Sequence, residues 1–320
     1  SQGCACGSLH VANTAVPMSR QNTPVTQPPP SKRRVTERVQ AAMMLAPTIT
    51  IVLIFIYGFL FWTIFLSFVG WNDVNFEVPF VGLRNYLRLF DNARFMIDIT
   101  NQLWFSAFFL GQCLIFGFLL AVLLDRPIWG EDVFKTIYIF PFAVSSIVTG
   151  VIWRWLMYPD TGINLLFDMA GIGFLKSKWY AEPAIGIIAV SIPAAWQMTG
   201  YTMALFLATL RGISSDLREA AAMDGATGWQ YYRYVAFPAC IPTTYSATVI
   251  LGMLSLRTYD LPAAMTGGAG PNYRTDLASN FMFETAFQQY RYSLGATIAS
   301  LVIVISIILL IPYIREAESQ

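Results

Sequence analysis

The chain has 320 residues, 56% of them apolar and only 12% charged, with a net charge of +1 and a mean hydropathy of +0.53. A water-facing globule does not carry that composition, and a near-neutral balance offers no basic field to collect nucleic acid. The cysteines Cys4, Cys6, Cys113 and Cys240 and the single histidine His10 are too scattered for a disulfide framework or a zinc site.

Residues 1–38 are polar, carry Gln27-Pro28-Pro29-Pro30 and have few large apolar groups, so they are expected to be a disordered cytoplasmic tail. Six charge-free apolar stretches follow, bounded by Arg38 and Asp73, Asp98 and Asp125, Lys135 and Arg154, Glu182 and Arg211, Arg233 and Arg257, and Arg291 and Arg315. Each is long enough to cross about 30 Å of hydrocarbon at roughly 1.5 Å of rise per helical residue. The predicted cores are Met43 to Leu66, Leu103 to Leu124, Thr136 to Met157, Ala184 to Leu210, Ile241 to Thr258, and Leu294 to Tyr313. A helix is the one single segment that satisfies its own backbone in lipid, so the fold class is all-α and polytopic. The six helices form a membrane domain over residues 39–315, followed by a cytoplasmic tail at 316–320. The cluster Lys32, Arg33, Arg34 and Arg38 abuts the first span and resists translocation, which places both termini in the cytoplasm.

Between the fourth and fifth spans lies a cytoplasmic connection, 211–240, of about thirty residues, which is long for a simple turn and should carry its own structure. Ser215 or Asp216 can cap a helix there, Glu219 stands in capping-box spacing from Asp216, Ala220 to Ala222 extend it, and Asp224-Gly225 breaks it. The three alanines leave little bulk, so another protein's surface can approach closely, while Glu219 and Asp224 present negative charge.

These residues resemble the EAA motif of the permease subunits of ATP-binding-cassette importers. Glu219, Ala220, Ala221, Gly225 and Pro238 fall in the motif's register, with Val235 and Phe237 in place of the usual Ile and Leu. Phe80-Val81-Gly82-Leu83-Arg84-Asn85-Tyr86 is similar to the external signature of the sugar-importer branch, and Phe140-Pro141 through Trp155 to its third-helix segment. Thr266-Gly267-Gly268-Ala269-Gly270-Pro271 and Thr275-Asp276-Leu277 resemble that branch's glycine loop, with one extra residue in the run. The branch is the maltose and glycerol-phosphate permease type. The wording around Tyr259-Asp260-Leu261-Pro262 and Thr136-Ile137-Tyr138 looks closest to permeases for glucose, mannose and α-glucosides.

The resemblance implies a type I importer permease (MetI-like) fold in a prokaryotic cytoplasmic membrane. It implies partners too: a cytoplasmic ATPase dimer docked on Glu219, Ala220, Ala221, Asp224, Gly225 and Pro238, a second homologous permease subunit, and an extracytoplasmic sugar-binding protein. The sequence contains no G-x-x-x-x-G-K-[ST] loop, so no cofactor is expected on this chain, and ATP and Mg fall to the partner ATPase.

A transient sugar site needs amides, hydroxyls and aromatic planes. Gln197 and Tyr201 share one face of the fourth span, and Ser255 and Thr258 one face of the fifth, next to Asp260. The resemblance places sugar contacts on these same two helices. The competing reading makes each polar group interhelical glue worth about 0.6 kcal/mol. Asp260 lies three residues after Arg257, and a structural ion pair between them is expected ahead of direct sugar contact by Arg257.

An ion-coupled secondary carrier is the alternative, but it would place carboxylates deep within its spans, and the six apolar runs have none. A hydrolase would need a base, and the one histidine lies in the tail.

Overall fold

The computed structural model describes residues 32–71, 78–126, 128–182 and 185–319, without the side chains at 32–39, 41, 312, 313 and 315–319. Cys4, Cys6, His10 and the tail up to residue 31 lie outside the described residues. The chain divides into two compact units, Ser1–Tyr57 and Gly58–Gln320.

The first unit contributes helix α1 (Lys32–Val52), which holds Pro47 and continues into a π-helical turn, Leu53–Gly58. The boundary expected at residue 38 therefore falls inside a helix. From Lys32 to Leu45 the chain has no Gly or Pro and is rich in Arg, Ala and Met, which are good helix formers.

The second unit opens with α2 (Phe59–Ser67) and α3 (Arg84–Phe90). The segment Phe80 to Tyr86 forms a clasp between them. The Asn85 amide donates to the carbonyls of Ser67 and Val69 at 2.9 and 2.8 Å, and the Tyr86 and Ser67 hydroxyls meet at 2.8 Å. Next comes α4 (Ala93–Asp125), capped by the Asn92 side chain, which accepts from Arg94 N and Phe95 N. It begins ten residues earlier than the predicted core, so Asp98, taken above as a boundary, sits inside the helix and is fully buried.

The third span departs from expectation. In place of one helix over 136–157 there are two, α5 (Glu131–Ala143) and α6 (Ser146–Leu156), bent by 100°. Val144 is extended at the break, just after Pro141. Proline removes a backbone donor and leaves an unpaired carbonyl, so a neighbour must satisfy the turn.

The chain continues through α7 (Ile163–Met169), α8 (Gly186–Gly212), α9 (Ser215–Met223), α10 (Gly228–Tyr231), α11 (Phe237–Ala239) and α12 (Ile241–Arg257). It ends with α13 (Asp260–Thr266), α14 (Ala278–Phe283) and α15 (Tyr292–Ser319). The expected C-terminal tail at 316–320 is helical as far as Ser319: the last helix runs on past Pro312 through Arg-Glu-Ala-Glu-Ser, whose Arg, Glu and Ala are good helix formers.

Among the described residues, three runs, Ala42–Ser67, Ala93–Asp125 and Tyr292–Ile311, are long and apolar enough to cross a membrane alone. The bent pairs α5–α6 and Gly228–Ala239 with α12 raise the number to five. Helix α8 makes the sixth. It is less apolar, and it buries the polar side chains of Ser191, Gln197 and Thr202 beside Met203 and Phe206. It packs on α4 and α5 at small residues. A side chain at Gly200 would collide with the Tyr138 carbonyl, and one at Gly117 with Thr202. Its core partners are Phe105, Phe109 and Cys113 in one half and Ala121 and Leu124 in the other.

Candidate functional site

Two surfaces carry the residues singled out in the sequence. The first is the 211–240 connection. Helix α9 presents Glu219, Ala220, Ala222 and Met223 to solvent, while Ala221 packs inward. Asp224 closes it, and Gly225 turns the chain at φ +75°, a conformation that favours glycine. The capping box lies elsewhere than expected. Ser214 stands at the N-cap of α9 without a side-chain bond, and the box is made by Thr227 and Gln230 at the start of α10. Pro238 occupies the short α11, and both it and Phe237 are exposed.

The connection is anchored to the ends of two spans. Arg218 reaches Asp125 at 2.8 Å, and the Tyr232 hydroxyl donates to the same carboxylate oxygen at 2.7 Å. Arg211 contacts Glu131 at 2.5 Å and donates to the Leu124 carbonyl at 3.0 Å. Asp125 ties α9 to the end of α4, and Glu131 ties the end of α8 to the start of α5. Nothing in a single sequence links residues this far apart.

The second surface is a cavity of 410 Å³ lined by Phe109, Ser146, Ala194, Gln197, Met198, Leu254, Arg257, Thr258, Tyr259, Asp260 and Leu261. It sits where two helix breaks meet, the α5–α6 break at Val144–Ser145 and the α12–α13 break at Thr258–Tyr259. Discontinuous helices expose backbone polar groups at membrane depth only where protein or a cavity satisfies them. Here the Gln197 amide donates to the Val144 carbonyl at 2.6 Å, and Ser279 donates to the Thr258 carbonyl at 2.5 Å. Gly150 lets α6 close on α13, since a Cβ there would come within 2.6 Å of the Leu261 carbonyl.

The structure thus brings Gln197, Thr258 and Asp260 together and leaves out the other two expected pathway residues. Tyr201 stacks on Phe142 at 5.6 Å. Ser255 is buried, bonded to the Ser106 hydroxyl at 2.9 Å, and its carbonyl accepts from Gln102 at 3.0 Å. Helical spacing placed both on polar faces but did not say which faces meet the cavity. The expected ion pair between Arg257 and Asp260 does not form either. Neither group is ion-paired among the described residues, and both line the cavity beside Tyr259.

One cluster escaped the sequence reading. Arg94, at the start of α4, donates to Asp276 at 2.7 Å and to Glu284 at 2.6 Å, sandwiched between the Tyr273 and Phe281 rings at 4.5 and 4.6 Å. Asn101 adds bonds to the Tyr273 and Asp276 carbonyls at 2.8 and 3.0 Å. The Arg94 hydrogen bond holds the Glu284 carboxyl below its ordinary range. Together these contacts pin the segment after the glycine loop to α4.

The family described as binding-protein-dependent transport system inner membrane component matches residues 113–317. A probable ABC transporter permease protein of Pyrococcus horikoshii is 35% identical over 88% of this chain and 97% of its own length. The trehalose/maltose transport system permease protein MalF of Thermococcus litoralis is 30% identical over 89% of this chain and 96% of its own. Among solved structures, a chain of a bacterial ABC transporter involved in importing the acidic polysaccharide alginate superposes with a TM-score of 0.76. It is 21% identical and covers 90% of this chain and 98% of that one, a likeness of fold.

Proposed function

The chain belongs to the family of binding-protein-dependent transport system inner membrane components, and from that premise we propose that it is the sugar-conducting permease subunit of an ATP-driven importer. The observation that carries this reading is the pairing of an exposed, alanine-rich α9 with a polar cavity at two helix breaks. The two are linked through α4 and α8, which end at the Asp125 and Arg211 anchors and also wall the cavity with Phe109 and Gln197.

In this reading a separate ATPase dimer binds α9 and supplies ATP and Mg. Its closure moves the anchored spans, and the cavity opens to alternate sides as the bundle rocks. A second permease subunit completes the pathway, and an extracytoplasmic binding protein delivers the cargo. Both termini face the cytoplasm. Arg257, Asp260, Tyr259 and Thr258 offer hydrogen bonds and an aromatic plane, which suits the hydroxyls and ring face of a mono- or disaccharide. The relative from Thermococcus litoralis is described as a transporter of trehalose and maltose, which supports a glucose or α-glucoside cargo for this chain.

The test is uptake of a labelled α-glucoside into proteoliposomes holding this chain with its co-purifying subunits. Accumulation that requires ATP on the ATPase side supports the proposal. Accumulation energised by an ion gradient without ATP overturns it.

A further inference from the structure

A second cavity, also of 410 Å³, opens where α3, the start of α4 and the start of α15 converge, and it is lined by Asn85, Arg88, Asn92, Arg291 and Leu294. Its polar groups are unequally used. The Asn85 amide is committed to the Ser67 and Val69 carbonyls, and the Asn92 oxygen caps α4. Arg88 and Arg291 make no side-chain hydrogen bond or ion pair with any described residue, and the adjacent carboxylate Asp91 is exposed and pairs with neither. Two guanidinium groups in one recess repel each other until an anion neutralises them.

The same helix faces continue into an apolar groove. Phe95, Ile99 and Leu103 of α4 and Ile298, Leu301 and Ile305 of α15 line a cavity of 180 Å³, floored by Leu256 of α12 and Ala278 of α14. Asn92, Phe95, Ile99 and Leu103 follow helical spacing, as do Arg291, Leu294, Ile298, Leu301 and Ile305, so the charged recess and the groove lie on one face of each helix. From Leu294 to Ile305 the rise is about 16 Å, close to half the hydrocarbon thickness. An aromatic belt marks the headgroup level at this end, with the rings of Trp71 and Tyr292 at 4.9 Å and of Tyr290 and Tyr292 at 6.4 Å.

We propose that this end of the bundle binds an anionic phospholipid, its phosphate between Arg88 and Arg291 and one acyl chain in the groove between α4 and α15. Charge and length together single out this occupant. A free phosphate would leave the groove unfilled, and an acidic segment of another protein would not need it. In the orientation proposed above the lipid belongs to the outer leaflet, but the site does not depend on that orientation or on the identity of the cargo.

The test is native mass spectrometry of the full-length chain in neutral detergent, offered phosphatidylglycerol, diacylglycerol or inorganic phosphate. Phosphatidylglycerol should be retained and diacylglycerol lost. The double variant Arg88→Gln with Arg291→Gln should lower retention by about tenfold or more, while Arg84→Gln, on the same helix but outside the recess, leaves it unchanged. Both recess arginines are exposed and unpaired, so these changes spare the fold. Leu301→Trp, which fills the groove and keeps both charges, should also lower retention. Equal retention by the double variant and the unaltered chain overturns the proposal. So does displacement of the lipid by inorganic phosphate alone, which would make this a small-anion site, or a failure to retain phosphatidylglycerol at all.

Discussion

Asp125 closes the last turn of α4 and takes the Arg218 guanidinium at 2.8 Å, so the exposed helix between the fourth and fifth spans is fastened to the foot of the second. The same oxygen receives the Tyr232 hydroxyl, which makes Asp125 the common anchor of both ends of the connection. Asp125→Asn removes the charge that both donors share and should cost about 1 to 3 kcal/mol. The expected result is faster proteolysis within 211–240 and weaker uptake, with partial recovery in the swap Asp125→Arg with Arg218→Asp. Cleavage as slow as in the unaltered chain would show that the anchor does not hold the connection.

The exposed face of α9 gives a second prediction. Glu219→Lys reverses its charge, and Gly225→Val forces a branched residue into a left-handed turn at a cost of about 1 to 2 kcal/mol. If α9 is the proposed docking helix, either change should abolish transport and release the proposed partner ATPase during purification while the membrane bundle melts at its usual temperature. Full co-purification with normal uptake would remove α9 from the docking surface.

Cavity and scaffold residues should separate cleanly. Arg257→Gln and Asp260→Asn alter groups that face the cavity without partners, and uptake should fall while thermal stability holds. Ser255→Ala breaks a buried hydroxyl pair and should lower stability by about 1 kcal/mol with uptake nearly intact. Gln197→Ala leaves the Val144 carbonyl without its donor, so it should affect both readouts. Equal uptake defects in Ser255→Ala and Arg257→Gln would contradict this division.

At Gly200 the Tyr138 carbonyl occupies the space a side chain would need. Gly200→Ala should force α5 away from α8 and destabilise the bundle by about 1 to 3 kcal/mol, measured as loss of monodisperse protein on heating in detergent. The same change at Gly111, which has open space, should be silent.

Arg94→Gln leaves the fully buried Asp276 without its counter-ion, and breaking such a pair costs about 3 to 5 kcal/mol. Glu284 adds a pH dependence. Its carboxyl is held below the ordinary value, so its contribution is complete above about pH 4.3 and is lost as the pH falls through the lowered folded value. Melting curves of Glu284→Gln should be flatter with acidification below that point than those of the unaltered chain. Identical acid dependence in both proteins would refute the role of this link.

The six apolar stretches were legible because lipid leaves a helix little choice, and the EAA spacing marked α9 and its turn. What the sequence hid is set by three-dimensional neighbours. The break after Pro141 needs Gln197 from another span to hold it, and charge-counting reads straight through the break. Asp98 looked like a boundary because its burial depends on α4 starting at Asn92. Gln197, Thr258 and Asp260, chosen by residue type, line one cavity, whereas Tyr201 and Ser255, equally polar, turn toward Phe142 and Ser106. The Arg94 cluster joins residues far apart in sequence, and no local pattern announces it.

Each interrupted span is sutured by a side chain from another helix, Val144 by Gln197 and Thr258 by Ser279, so the scaffold asks nothing of Arg257 and Asp260, which also line the cavity. Positions such as Arg257 and Asp260 are therefore free to drift. Exchanging them would change what the cavity offers a passing solute while leaving the stitches in place.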